Sequence, residues 1–373
     1  MNLSESARAV FAVLAQEGTA TRPQLAAGAG LSKPTVSSAV AELERAELAA
    51  RSGTVSGGTG RSAAVYGLGP AAGAVLAVDL GPSHTRVRGC ALDGSLLAQG
   101  TGSREESADT VRATLDALPA GAPLRTIVVA VGDVAAQDRR GAGMRPATAK
   151  AGPVYDAMAV ALPPGVPVHL ENNVNCAALA ELHEGAARGR DTFGYLRVGV
   201  GIGLGIVVGG HVLSGANGAA GEVARLPYPW SDSREPRREA LEEHMGSRSL
   251  LRRTADAWQS AAGPCPRTVK RLFALADEGH ATALAVVERH AADIGRLAAA
   301  VTAVLDPGLL VLGGGTGAYP QLLRGVRAEL ARLSWPTEVV SSMLGDTGTV
   351  AGASRLAVAH GRQTVTDGRR VKH

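Results

Sequence analysis

Five short apolar runs, each ending in a glycine-rich or acid–amide loop, constrain this chain most. Residues 74–78 run into Asp79-Leu80-Gly81-Pro82-Ser83, and residues 126–131 into Gly132-Asp133. Residues 166–170 run into Glu171-Asn172-Asn173-Val174-Asn175. Residues 195–200 run into Gly201-Ile202-Gly203-Leu204-Gly205, and residues 309–312 into Gly313-Gly314-Gly315. Apolar runs of this length, bounded by breakers, read as buried strands. Helical stretches separate them, from near Ser107, over 176–182 and over 281–305. Strands alternating with helices predict an α/β layered fold.

The chain has 373 residues, enough for two or three domains with sizeable cores. Only 3% of residues are aromatic, so the cores must be aliphatic and alanine-rich. The net charge of +4 is compatible with nucleic acid but does not establish it. Cys90, Cys176 and Cys265 lie far apart, without metal-ligand spacing or a disulfide framework. No secretory signal is read at the N-terminus, and no run of about twenty apolar residues predicts a membrane span. A reducing cytoplasm is the expected compartment.

Residues 1–70 carry a different pattern. Ala7, Val10, Phe11 and Leu14 fall on one helical face, with Ser4 able to cap its start and Gly18 its end. A second short helix is predicted from Thr21, closed by Gly28 and Gly30. Ser32 caps a third, with Pro34 in its first turn and Val36, Val40 and Leu43 inward. Lys33, Pro34, Thr35, Ser37 and Ser38 lie toward its outward N-terminal side, where short polar groups can meet base edges and a lysine can meet phosphate. Residues 49–68 alternate like a hairpin around Gly57-Gly58-Thr59-Gly60, flanked by Arg51 and Arg61. That is the shape of a wing, and it favours double-stranded DNA over a module for protein contacts. For Ser37 and Ser38, base contact and a merely solvated face both remain open.

Gly69 to Gly73 form a breaker-rich joint. Beyond it, a second strand near 85–92 turns at Asp93-Gly94. A last helix is predicted from Ala353 to about His360, and the basic tail 362–373 is expected to be disordered. Backbone N–H groups in each glycine loop could cradle a phosphate, although tight packing explains any single loop as well.

Taken in order, these motifs resemble the ROK family (repressors, open reading frames and sugar kinases). Asp79-Leu80-Gly81-Pro82-Ser83-His84 is similar to the family's first phosphate loop. Gly201 through Gly205 is similar to the second, and residues 306–315, with Gly314, to the adenosine-side motif. Glu171-Asn172-Asn173-Val174-Asn175 resembles a sugar-and-catalysis motif that usually reads Glu-Asn-Asp-x-Asn. The stretch 215–222 leads to a sugar-contacting glutamate, Glu222. The resemblance implies a winged helix-turn-helix (1–70) followed by a two-lobed actin-like, sugar-kinase-like domain (74–361). Its smaller lobe would be 74–170 plus the C-terminal helix, and its larger lobe 171–350. It also implies a homodimer or homotetramer.

The departures carry the functional expectation. Asn173 stands where the family has its catalytic aspartate, and an amide cannot act as a general base near neutral pH. Val200 replaces a phosphate-loop threonine, and Ala130-Val131-Gly132-Asp133 replaces a Gly-x-Pro-Gly turn. Arg225 stands at a histidine that touches sugar and zinc. Of the zinc segment only Glu242 survives, with Ser233, Glu235 and Ala240 at cysteine positions, so no metal is expected. No cofactor is expected either, because the phosphate loops around Asp79, Gly81, Ser83, Gly201, Gly203 and Gly314 are degenerate. The expected function is a non-catalytic regulator of the repressor type, with Asn172, Asn173, Glu222, Arg225 and Glu242 around a sugar. Arg225 would favour an anionic sugar derivative, unless it pairs with Glu222. The alternative is an active ATP-dependent sugar kinase.

Overall fold

The computed structural model describes residues 3–56, 62–137, 144–146, 152–229, 235–259 and 263–367. The chain divides into two compact units, Met1–Asn173 with Ala353–His373, and Val174–Gly352.

The first unit begins with α1 (Glu5–Glu17), β1 (Thr19–Thr21), α2 (Arg22–Ala29), α3 (Lys33–Arg45), β2 (Ala49–Ser56) and β3 (Ser62–Leu68). β3 lies between β1 and β2 in an antiparallel sheet. Val10, Phe11, Leu14, Leu25, Val36, Val40, Leu43 and Tyr66 form its core. Ser4 caps α1 by accepting from Ala7 N, and it also donates its own N–H and hydroxyl to the Glu42 carboxylate at 2.8 and 2.7 Å. One serine thereby ties α1 to α3, and these bonds hold the Glu42 carboxyl below its ordinary pKa. Ser32 caps α3 by accepting from Thr35 N. Thr21 caps α2 through a capping box with Gln24 and Gly30 closes it, as expected. One detail corrects the sequence reading: Gly28 lies inside α2 rather than closing it. A Cβ at Gly28 would lie 2.7 Å from Val13, so this glycine allows α1 and α2 to approach closely.

A second sheet follows, built from β4 (Ala74–Leu80), β5 (His84–Ala91), β6 (Leu96–Ser103), β7 (Leu124–Val131) and β10 (Val168–Asn172). The helices α4 (Ser107–Asp116) and α5 (Gly152–Ala159) and the hairpin β8 (Ala135–Gln137)–β9 (Met144–Pro146) complete this stretch. The strand order is β10-β7-β4-β5-β6. β4, β5 and β6 form an antiparallel meander, while β7 and β10 run parallel to β4. All seven positions of β4 are buried, as a continuous apolar run at the centre of a sheet requires.

The second unit holds α6 (Asn173–Glu184, from Val174), β11 (Phe193–Val198), β12 (Ile202–Val208), β13 (His211–Val212), α7 (Ala240–Met245), α8 (Ser247–Ala257) and α9 (Val269–Asp277). α10 (Ala281–Leu305), β14 (Leu309–Gly313), α11 (Gly314–Gly317), α12 (Pro320–Leu333) and β15 (Glu338–Ser341) follow. Its strand order is β13-β12-β11-β14-β15, with β12 antiparallel to β11 and β13, and β14 and β15 parallel to β11. α8, α9, α10 and α12 cover it through Leu250, Leu272, Phe273, Ile294, Leu297, Leu322 and Val326.

The last helix, α13 (Gly348–Thr366), is longer at both ends than expected. It continues four residues past Arg362, into the segment expected to be disordered, and Val365 there is buried. Burial of this apolar face stabilises helix where composition alone reads as tail. Cys90, Cys176 and Cys265 are free thiols. Among the described residues no helix is long and apolar enough to cross a membrane.

Candidate functional site

The outward face of α3 carries Lys33, Pro34, Ser37 and Ser38, all exposed, at i, i+3 and i+4 spacings. Val36, Ala39, Val40 and Leu43 face the core. Thr35 is half-buried, and its hydroxyl bonds that of Ser32 at 2.7 Å, so it helps to hold the cap. Arg51 is exposed on β2, next to a bulge between Arg51 and Gly53. Arg61 and the Gly57–Gly60 turn lie outside the described residues. Arg22 was missed by the sequence reading. It opens α2, and its guanidinium lies 5.2 Å from the Tyr66 ring centroid.

Within the first unit, the ends of β4, β7 and β10 present the residues expected at a sugar and phosphate site. Parallel pairing sets Asn172 beside Val131 and Asp79 beside Ala130. Asn172 donates from Nδ2 to the Asp133 carbonyl at 3.2 Å. A Cβ at Gly132 would lie 3.4 Å from Asn173 Nδ2, which places that amide in contact range of the β7 end. Asn173 is 4% exposed and Asp133 5% exposed. Asp133 was not among the expected site residues. Its nearness to Asn172 follows from strand pairing, which spacing along the sequence does not reveal.

The first glycine loop is filled by its own chain. The His84 ring lies over Gly81, where a Cβ would come within 2.5 Å of the ring carbon Cε1. His84 Nε2 faces Asp79 Oδ2 at 3.3 Å and the Arg86 guanidinium on its other side. In one tautomer that nitrogen accepts from Arg86, and in the other it donates to Asp79. Either way the imidazole covers Gly81. Ser83 remains exposed beside it.

Within the second unit, Glu222 and Arg225 flank a single helical turn and pair with each other, Nε to Oε2 at 3.2 Å. Of the two roles the sequence left open for Arg225, this is the pairing. Glu242 rises from α7, and a Cβ at Gly201 would lie 3.1 Å from its Oε2. α7 is itself anchored. His244 Nε2 meets Asp293 Oδ2 of α10 at 2.9 Å, its ring stacks on Tyr228, and Arg253 of α8 bonds the His244 carbonyl. Gly203 and Gly314 have packing reasons. A Cβ at Gly203 would press on Val174 at 2.8 Å, and Gly314 combines a φ of +83° with a Cβ position 2.6 Å from the Val198 carbonyl oxygen. Ser233 lies outside the described residues, Glu235 is exposed, and Ala240 opens α7.

The family model for ROK proteins matches residues 75–360. The chain belongs to the ROK family. A ROK family transcriptional regulator, a homologue of the E. coli MLC protein, aligns with this ROK chain at TM-score 0.70 and 20% identity, over 96% of this chain and 97% of that one. That likeness is one of fold, and its coverage takes in the N-terminal winged module. A ROK hexokinase from Thermus thermophilus aligns at TM-score 0.58 and 29% identity, over 77% of this chain and 98% of its own. The bifunctional enzyme NanE/NanK of Brucella melitensis biotype 1 is 29% identical over 198 residues, 52% of this chain. The chain spans 36% of the length of that relative. The fold is therefore α/β, a winged helix-turn-helix followed by the actin-like fold of ROK sugar kinases.

Proposed function

We propose that this ROK protein is a DNA-binding transcriptional regulator of the repressor type, whose sugar-kinase-like part binds a sugar without phosphorylating it. Asn173 carries this reading. Phosphoryl transfer to a sugar needs a group that accepts the hydroxyl proton, and an amide cannot take it. The His84 ring over Gly81 supports the same conclusion, since the first phosphate loop has no room for a phosphate until that ring moves.

Asn172 and Asn173 of the first unit, and Glu222, Arg225 and Glu242 of the second, are the proposed sugar contacts, because amides, carboxylates and a guanidinium offer the donors and acceptors a polyol takes. With Glu222 already beside Arg225, a neutral sugar fits better than an anionic derivative. Lys33, Pro34, Ser37, Ser38 and Arg51, with Arg61, are the proposed DNA contacts, to a two-half-site operator read by a homodimer or homotetramer. A ligand would regulate by favouring one arrangement of the reading helices.

Selection from random duplexes tests the regulator. The full chain should enrich a defined sequence, and Ser38→Ala should weaken its binding. Failure to enrich any sequence would remove the DNA reading.

One observation favours a second reading, an active sugar kinase. Asp133, a buried carboxylate two residues past the end of β7, lies beside Asn172, whose Nδ2 donates to its backbone carbonyl, and its side chain could accept a proton in place of the missing aspartate. If the protein does turn over ATP with a sugar, and Asp133→Asn abolishes that turnover while Asn173→Ala does not, this second reading holds.

A further inference from the structure

α1 ends without a cation of its own, as no basic residue lies in its last turn. The last carbonyls of a helix have no partner within it and carry partial negative charge. Gly18 N takes the Leu14 carbonyl at 2.9 Å. The Ala15 carbonyl is taken by Arg362 Nη2 at 2.7 Å, from a residue 347 positions downstream. The Nε of the same guanidinium donates to the Leu92 carbonyl, also at 2.7 Å. Leu92 belongs to the turn between β5 and β6. The neighbouring Asp93 faces the C-terminal cap of α1, where a Cβ at Gly18 would lie 3.4 Å from Asp93 Oδ2.

One guanidinium thus joins three segments of the first unit: the end of α1, the β5–β6 turn and the last helix. Its planar fork satisfies two carbonyls at once, which a single ammonium does less well. The joint 69–73 is held separately. Ala71 N donates to the Glu47 carbonyl at 2.9 Å, and Arg125 Nε donates to the Ala72 carbonyl at 2.9 Å. Two residues before Arg362, the His360 ring stacks on that of His169 at 4.1 Å. His169 lies on β10, the strand that ends at Asn172.

We propose that Arg362 is the positioning residue of the DNA reader: it fixes α1, and with it the recognition helix, against the β4–β10 sheet. The orientation of the reader is then set by the last helix as well as by the joint. The proposal rests on the DNA reading above only for its consequence, and on the hydrogen bonds for the clamp itself. In a homodimer, fixed readers meet two half-sites at one spacing. Freed readers must pay orientation entropy at the second half-site, because the effective concentration of a tethered module falls as its tether loosens.

The test uses the full chain as wild type, Arg362→Ala, Arg362→Lys and the exposed neighbour Gln363→Ala as control. Hydrogen exchange is read at amides 14–18 and 69–73. Arg362→Ala should exchange about tenfold faster there while the rest of the chain is unchanged, and Gln363→Ala should match wild type. Binding is read on the selected operator with both half-sites and with one. Arg362→Ala should weaken the two-site complex about tenfold and the one-site complex less than twofold, with Arg362→Lys between. Should Arg362→Ala fail to fold, Arg362→Lys carries both readings. Unchanged exchange in the variant, or equal loss on both duplexes, overturns the proposal. If wild type selects no operator, the DNA reading fails and exchange alone decides the clamp.

Discussion

The two five-stranded sheets share one strand order and differ at their loops. In each, the first strand is central, the next two run antiparallel on one side, and the last two run parallel on the other. β4 and β11 hold the same position, so the β4–β5 and β11–β12 turns are equivalent slots. The first slot is closed from within its own hairpin, by His84 over Gly81. The second is bounded by a different element. Glu242 of α7 faces Gly201, and Ser247 N of α8 donates to the Gly199 carbonyl at 2.8 Å. Equivalent backbone positions are therefore covered by different means. One substitution could reopen the first slot, whereas the second depends on a helix anchored through His244 and Asp293.

Matched core truncations test whether the sheets are equivalent in stability as they are in topology. Leu76→Ala in β4 and Leu196→Ala in β11 should each cost about 2–5 kcal/mol, because both side chains are fully buried. Calorimetry should show each variant shifting the transition of its own unit. A single transition shifted alike by both would mean that the units unfold as one.

Acid should weaken both units next, the second through the large shift of His290. His290, buried on α10 in the second unit, has its pKa pushed down to about 4 by burial, with Arg253 adding to the effect. It is neutral when folded but takes up a proton when unfolded below its ordinary value of 6.5. Stability is therefore complete above pH 6.5 and falls by about 3 kcal/mol as the pH drops toward 4. His169 and His360 of the first unit are shifted in the same direction by burial. Melting of His290→Leu across this range should be flatter than wild type, and an unchanged slope would remove His290 as the cause.

Much of this fold was legible, and the errors have physical reasons. Continuous apolar runs gave β4, β7, β11 and β14, and helical periodicity gave α10 over its whole length. Glycines misled at both ends of the chain. Gly28 was read as closing a helix and the last helix as starting only at Ala353, yet Gly28 and Gly352 both lie inside helices, and a Cβ at Gly352 would overlap the Cys176 carbonyl oxygen. Such glycines serve close approach between segments, which a sequence pattern cannot distinguish from a turn. Asn172 and Asn173 stood out as amides at a strand end. Asp133, His84 over Gly81, and Arg362 on α1 did not, because each depends on strand register, hairpin geometry or a contact across the whole chain.

Smaller effects sharpen the comparison further. Ser4→Ala removes the α1 cap and its tie to Glu42, and should cost about 1 kcal/mol in thermal melting. His84→Ala should change stability by less than about 1 kcal/mol, since the ring is partly exposed. It should nevertheless clear the cradle over Gly81, so that Mg·ATP raises the melting point of the variant more than that of wild type. Equal shifts would mean that the ring does not guard the slot.

The proposal that this ROK chain binds a sugar without phosphorylating it rests on the amide of Asn173. ADP release by the full chain, measured with Mg·ATP and a panel of hexoses and N-acetylated hexosamines, tests it most directly. The account predicts release no faster than without sugar. Sugar-dependent release above that background, whether it disappears on Asn173→Ala or on Asp133→Asn, would contradict it.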